Sequence, residues 1–466
     1  MINTQEWIEK QWPTTIFLDP RLQKRVVTIG TAFLTFPDRN IPARFESAGA
    51  TKGCYRFLSR TDMGHEMLQS GHYENIKEEA SNTQGEVLFI QDGSELLYNS
   101  HKWVAGLGPT GDSYGNGIMF HSCLAVKFEE GRPKVMGLAA QKAWIRKETA
   151  VPVLVESSAE VAEDPSSEAQ EEKDLESAVW LEMLEKIGRV PKGLTWTIVC
   201  DRAGDIFSLI EGIKKLGYGC VIRTKHDRKI LINDAEYKLK AFMRSLPSMG
   251  SKKREARGTA DHSSYEQTLN ISWTEAEMLP PRAEKEKKAI KGSYVRVWCE
   301  EDPDIEWILF TLAPVTSIEE ALAIVSKYEH RWIIEEYHKC LKSGCKIEEA
   351  QLKTSDRLLN LFGILGIIAT QLLQLRDISR IKSEEPAEKH ADPLDVMIIE
   401  EKYKIKGPIT VKEFWRRVAM LGGFLGRKSD KNPGWQTIWM GWLRLQDMRR
   451  GVELAQKSFR LAQGKP

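Results

Sequence analysis

Two short apolar runs, VLFIQD and TWTIVCD, each stop at an acidic residue, Asp92 and Asp201. Their apolar positions are consecutive rather than alternating, and β-branched and aromatic residues are frequent. Both therefore read as buried strands with an aspartate at the carboxyl end. After Asp201, RAGDIFSLIEGIKKLG places Ile206, Leu209, Ile210 and Ile213 on one helical face and stops at Gly217. YGCVIRT then returns as a strand, which puts Asp201 at the strand-to-helix turn of a βαβ-like unit. IMFHSCLAVKFEE and KVMGLAAQKAWIR flank a Gly-Arg-Pro turn and read as a hairpin beside the Asp92 strand. LNISWTE, YVRVWCE and EWILFTL alternate, so the stretch at about 229–310 reads as a β-rich insertion. Residues 1–68 read as several short helices, 69–378 as an α/β domain with a mixed sheet, and 379–466 as helical. The acidic stretch from Glu156 to Glu176 reads as a loop, and IKSEEPAEKHADP as a hinge.

The segment YEHRWIIEEYHKCLKSGCKIE carries the densest chemistry. Wrapped on one helix at about 100° per residue, Tyr328, Arg331, Glu335, Lys339 and Lys342 share a quadrant. Ile333, Ile334, Tyr337, Cys340 and Leu341 fall opposite and can be buried. The plain reading is a wet face with i,i+4 ion pairs, Arg331 with Glu335 and Glu335 with Lys339. The other is a carboxylate among cations that hold phosphates. Each aspartate also has a plain reading as a turn or helix cap. Together the three acids supply hard oxygen donors without a Cys/His cluster, which suits Mg²⁺ or Mn²⁺ rather than zinc. Two such ions can clamp the attacking and leaving oxygens of a phosphoryl displacement.

Charge sharpens this picture. Charged residues are 29% of the chain, yet the formal charge is only +1. The charge is segregated, as in a nucleic-acid binder that is not basic overall. Acidic residues gather before the Asp201 strand. Basic ones gather at Arg223, Lys225, Arg228 and Lys229, and in polar, loop-like sequence at Lys252–Arg257 and Lys285–Lys291. The seven cysteines are scattered with no C-x2-C pair, so no zinc site or disulfide framework is indicated. The amino-terminal MINTQEWIEKQW is polar, so no signal peptide is expected. LLNLFGILGIIATQLLQL approaches membrane-span length, but Asn360, Thr370, Gln371 and Gln374 interrupt it. It reads as a buried helix. No G-x4-G-K phosphate loop occurs, so no nucleotide cofactor is expected.

These motifs resemble the bacterial cut-and-paste DDE transposases of the insertion-sequence branch with the signature Y-x2-R-x3-E-x6-K. Here that signature is Tyr328, Arg331, Glu335 and Lys342. The likeness also includes LDPR at Arg21, GCYRFLSR at Arg56, IQD at Asp92, MFHS at His121, VCDRAGDI at Asp201, VIRTKHDRK at Arg223 and LLQLR at Arg376. LGGF followed by W-x3-W-x2-W completes it near the carboxyl end. The chain departs from the family at Ala203 and Gly204, where an acidic or bulky residue is usual, and in a longer acidic stretch.

The resemblance implies a ribonuclease-H-like sheet whose Asp92, Asp201 and Glu335 bind two Mg²⁺ or Mn²⁺ ions. It implies nicking, hairpin formation, hairpin opening and strand transfer, acting on transposon end DNA and target DNA. Tyr328, Arg331, Lys339 and Lys342 would hold phosphates, and Arg223, Lys225 and Arg228 would follow the duplex end. Trp307 would receive a flipped base. Arg21 and Arg56 belong to a helical DNA-binding module. Part of the stripe Trp435, Trp439, Trp442 and Leu445 would pair with a second subunit, giving a homodimer in the synaptic complex. The setting implied is the bacterial cytoplasm, nucleoid-associated when bound, with no membrane partner. The rival expectation is a catalytically silent DNA-binding derivative or an inhibitor of transposition.

Overall fold

The computed structural model describes residues 4–13, 17, 19–36, 39–111, 115–129, 131–147, 167–256, 265–381, 383–427, 430 and 432–462. Four helices open the chain: α1 (Thr4–Gln11), α2 (Pro20–Thr35), α3 (Ala48–Leu58) and α4 (His65–Ser81). Asp19 caps α2 by accepting from the Arg21 backbone N–H, with Pro20 in the first turn, where a missing N–H costs nothing. Ser47 caps α3 in the same way. The expected boundary at residue 68 falls inside α4. That helix belongs to the sheet, because His72 and His65 accept the backbone N–H groups of Leu138 and Ala143 at 2.9 and 3.0 Å.

The sheet begins with β1 (Glu86–Leu97), β2 (Gly108–Thr110), β3 (Gly115–Glu129) and β4 (Arg132–Trp144). The expected hairpin is β3–β4, turning at Gly131 with φ of 71°. Helix α5 (Ser167–Ile187) leads to β5 (Thr195–Cys200), α6 (Phe207–Leu216) and β6 (Gly219–Arg223). Gly217 ends α6 in the left-handed conformation, as its position after the apolar face implies. The acidic loop expected to reach Glu176 is shorter than that. Residues 156–166 lie outside the described set, and α5 already begins at Ser167.

Then come β7 (Lys229–Ile232), β8 (Ala235–Lys238), α7 (Leu239–Ser245), β9 (Gly250–Ala256), β10 (Tyr265–Met278), β11 (Ile290–Cys299) and β12 (Glu306–Thr311). The strand order is β2-β3-β1-β5-β6-β12-β11-β10-β7-β8, with β4 on β3 and β9 on β10. The β-rich insertion is thus an extension of the same sheet, joined where β12 runs antiparallel to β6. Two basic clusters expected in loops are partly paired, and Arg257 lies outside the described residues. Lys252 and Lys253, on β9, meet Glu329 and Glu266, while Lys287 and Lys291 meet Glu284 and Glu275.

Both faces of the central strands are covered, which explains their unbroken apolar runs. Val87 and Phe89 pack with α5 and α6, and Leu88 and Ile90 face the other core. That second core contains α8 (Ile318–Glu329), α9 (Trp332–Lys339) and α10 (Ser355–Ile378). Helix α10 is long and apolar enough to cross a membrane, but it is buried inside the protein, as its interrupting polar residues suggest. The seven cysteines are buried.

The carboxyl-terminal helices are α11 (Pro393–Tyr403), α12 (Val411–Leu421) and α13 (Trp435–Ala462). The expected hinge is tied to the segment before α12, since Ala387 N–H donates to Ile409 and Val411 N–H to Glu385. Trp435, Trp439, Trp442 and Leu445 are all buried within the chain. The stripe is core, not a subunit contact, because α12 and α13 cross closely. A Cβ on Gly441 would lie 1.7 Å from the Val418 carbonyl oxygen, and one on Gly422 2.0 Å from that of Thr437. Gly441→Ala is therefore expected to destabilise the protein by about 1–3 kcal/mol through overpacking. An unchanged denaturation midpoint would show that the two helices separate freely.

Candidate active site

Asp92 and Asp201 stand side by side on neighbouring parallel strands. The last parallel pair is Gln91 with Cys200, so the two aspartates follow at one level. Strand β1 does not end there, as the apolar run suggests. It continues to Leu97, paired only with β3. Asp201 caps a single 3₁₀ turn, Arg202–Gly204, by accepting from the Ala203 N–H at 2.8 Å. Its capping role and its place in the site coexist, because one carboxylate has lone pairs for both.

The Glu335 segment is not one helix. Helix α8 ends at Glu329, α9 starts at Trp332, and one π turn, Cys340–Gly344, follows. The break moves Tyr328 out of the quadrant predicted for it. Tyr328 is buried, its hydroxyl hydrogen-bonds the Arg223 side chain, and its ring meets Trp307 edge-on at 5.4 Å. Glu335 remains on the site side, with Lys339 exposed and Lys342 half-buried beyond it.

Arg331 holds the acids together. Its guanidinium donates to Glu335 Oε1 at 2.5 Å and to Asp92 Oδ2 at 3.4 Å. The i,i+4 pair foreseen on a wet face is thus partly buried and bridges two elements. Burial and then the charge of Asp201 push the Asp92 carboxyl up to about 7. Arg331 and the Gly93 N–H act in the opposite direction, and Glu335 adds to the rise. One guanidinium does not neutralise three carboxylates.

A buried polar chain fixes α9. Gln141 Nε2 donates to Ser122 Oγ and to the Tyr337 hydroxyl, both at 2.9 Å, and Tyr337 donates to the Gly366 carbonyl at 3.1 Å. Gln69 Nε2 donates to Gln141 Oε1 at 2.7 Å. Ser122 lies opposite Asp92 on β3, and Tyr337 follows Glu335 on α9, so one network sets both acids. His121 is buried, and burial pushes its pKa down to about 3, so it is neutral beside Gln91 at 3.1 Å.

The basic residues divide. Arg223 donates to the Glu306 carbonyl at 2.9 Å, and Lys225 is exposed. Arg228 departs from its expected role along DNA. It pairs with buried Asp205 at 2.9 Å, while Asp205 also accepts from the N–H groups of Lys225 and His226. Asp205 thereby shapes the loop that presents Lys225. A cleft of about 200 Å³ beside Asp201 is lined by Arg202, Arg223, Lys225, Lys240 and Arg244, with Glu306. Three of these, Arg202, Lys240 and Arg244, escape sequence reading because the 3₁₀ turn and α7 that carry them meet only in the fold. Trp332 escapes it too. It is exposed, with the Arg331 guanidinium 5.6 Å from its ring, and only its place beside Arg331 in the signature could have drawn attention to it. Trp307 is half-buried on β12. Arg21 and Arg56 are exposed on α2 and α3, with Arg21 held by Asp19.

Among the described residues no three His, Cys, Asp or Glu side chains are arranged to hold a metal ion. The donor chemistry nonetheless fits a hard divalent cation. The oxygens are carboxylates, and Asp92 is raised by burial and then by the neighbouring charge of Asp201. In this arrangement Arg331 supplies the positive charge between Asp92 and Glu335.

A stability consequence follows for the metal-free protein. Between about pH 4 and 7 the folded state holds a proton on Asp92 that the unfolded chain releases, so this group's contribution falls as pH rises through that window. Asp92→Asn, which imitates the protonated form, is expected to melt near the wild-type temperature at about pH 5 and above it at about pH 8. A wild-type advantage that grows with pH would contradict the assignment.

Residues 4–63 match the transposase DNA-binding family, and residues 175–372 match the transposase DDE domain. The first covers α1 to α3 with Arg21 and Arg56. The second covers Asp201 and Glu335, while Asp92 lies before it on the adjoining strand. DDE domains generally use divalent metal ions. With its large mixed sheet and helical ends, the chain has the ribonuclease-H-like fold of this group. The matched DDE transposase domain indicates an enzyme of the polynucleotidyl transferase and endonuclease type, and the DNA-binding match implies DNA as its partner.

Proposed function

We propose that the chain cuts a mobile element from DNA and joins it to a target, with Asp92, Asp201 and Glu335 as its catalytic acids. The observation that carries this is their arrangement: two aspartates at one sheet level and a helix-borne glutamate joined to Asp92 through Arg331. We place it in the branch with the Y-R-E-K signature, similar to the transposase of the composite kanamycin-resistance transposon. The same acids would hold two Mg²⁺ or Mn²⁺ ions, which when bound activate the attacking oxygen and stabilise the leaving one.

The residues of this chain then bind and orient. Lys339 and Lys342 hold phosphates by charge-assisted hydrogen bonds. Arg331 does so once it leaves the acids. Tyr328 fixes Arg223 toward the strand end, and Lys225 follows the backbone beside it. Water nicks one strand, the freed 3′-hydroxyl attacks the other to form a hairpin, water reopens it, and the 3′-hydroxyl joins target DNA. Each is an in-line displacement at phosphorus, so one site serves all four. Two ends require two such sites, supplied by a homodimer in the synaptic complex. Nothing in the scheme calls for a nucleotide cofactor or a membrane. The bacterial cytoplasm is the setting it fits.

Asp92→Ala, Asp201→Ala and Glu335→Ala are each expected to abolish strand cleavage of the element's own terminal repeat with Mg²⁺ while leaving end binding nearly intact. Wild-type cleavage by any of them removes that residue from the set. An inert wild type that binds ends favours a silent DNA-binding derivative.

Trp307 supports the hairpin step. Its ring meets Tyr328, beside the Arg223 side chain, on the strand next to β6. A base flipped from the tight hairpin turn gains a stacking partner there. Trp307→Ala is expected to reduce hairpin formation or opening far more than the first nick, and Trp307→Phe to keep part of the activity. A uniform decline of all steps with a lowered melting temperature would make Trp307 only a packing residue.

A further inference from the structure

Fourteen tryptophans are present, and only Trp103 and Trp332 are more than half exposed, at 57% and 61%. Trp332 adjoins Arg331 in the active site. Trp103 stands elsewhere, on the loop between β1 and β2, and is not used by the chemistry above.

This loop is firmly held. One face of Trp103 stacks on His101, with ring centres 5.1 Å apart at 24°, and His101 is buried against Tyr98. The 57% exposure leaves the other face to solvent. Four hydrogen bonds tie the loop and the end of β1 to the segment after the Glu335 helix. Leu97 N–H donates to Glu348 at 2.8 Å, and the Tyr98 hydroxyl to the Ile347 carbonyl at 3.2 Å. Ala105 N–H donates to the Lys353 carbonyl at 3.0 Å, and Ser355 N–H to that of Ala105 at 2.9 Å. A flat aromatic face is therefore fixed in place where an apolar surface is costly to expose.

Lysines lie along the chain between Glu335 and this loop. Lys339 and Lys342 follow Glu335 along α9 and its π turn, Lys353 sits where that segment meets the loop, and Lys102 precedes Trp103. Among the described residues none of these four lysines is in an ion pair, unlike the paired lysines of β9 and β11. Strand β1 runs on from Asp92 to Leu97, a span of roughly 17 Å at the usual rise of a strand.

We propose that Trp103 is a stacking platform for an unpaired or terminal nucleobase of a DNA strand whose phosphates follow Lys339, Lys342 and Lys353 out of the active site. A base within a duplex has no free face, so the platform selects a single-stranded extension, while the lysines act on any sequence. The proposal rests on the reading of the chain as a DNA-cutting enzyme and adds to it a strand path and a second aromatic contact.

The test uses the full chain, a blunt duplex, and the same duplex with an oligothymidine overhang. Wild type is expected to bind the overhang DNA more tightly. Trp103→Ala should lose that gain, about tenfold, while binding the blunt duplex as wild type does, and Trp103→Phe should retain most of it. Iodouracil placed at successive overhang positions should crosslink to Trp103 at one position far more strongly than at the others. A Trp103→Ala variant that keeps the full gain, or a wild type that shows none, overturns the proposal. A wild type that binds neither DNA sinks the underlying DNA reading and the proposal with it. Melting curves confirm that the exposed substitutions leave the fold intact.

Discussion

The site is organised around a shortage of positive charge. Three carboxylates from three elements converge in a partly buried place, with Arg331 alone bridging two of them. Burial, and then the charge of Asp201, raise the Asp92 pKa to about 7 despite the opposing effect of Arg331. Such a cluster is stable only with cations supplied, and phosphodiester chemistry supplies a role for each kind. A divalent metal suits the carboxylates, and a phosphate suits the displaced guanidinium. In the proposed reading Arg331 stands where a metal would bind and turns to phosphate when one does.

The fold serves to hold this unstable grouping in register. Covering both faces of the parallel strands fixes Asp92 and Asp201 at one level. The chain from Gln69 through Gln141 to Tyr337 holds the glutamate helix against them. The break between α8 and α9 gives Tyr328 to the core and leaves Glu335 at the surface of the site. Buried Asp205 does for the basic loop what Gln141 does for the helix.

Much of this was legible in the residue order. The apolar runs place both aspartates correctly because buried parallel strands need apolar residues on both faces. Gly217 and the Gly-Arg-Pro turn mark their elements through backbone preferences that are local. What failed depends on distant partners. A single helical wheel puts Tyr328 beside Glu335, whereas the chain breaks between them. Arg228 looks like a free cation until Asp205 is found against it. The tryptophan stripe of α13 has the spacing of an interface, and only the closeness of α12 at Gly441 shows that it is core. The insertion reads as separate because the pairing of β12 with β6 joins residues far apart in sequence.

The central claim is that Asp92, Asp201 and Glu335 form one cation site that Arg331 guards. The most direct test is an anomalous difference map from crystals soaked in manganese. The account predicts a peak at roughly 2.0–2.3 Å from carboxylate oxygens of Asp92 and Asp201, with the Arg331 guanidinium moved away from Asp92. Manganese bound at other donors, with Arg331 still bridging Asp92 and Glu335, would contradict it.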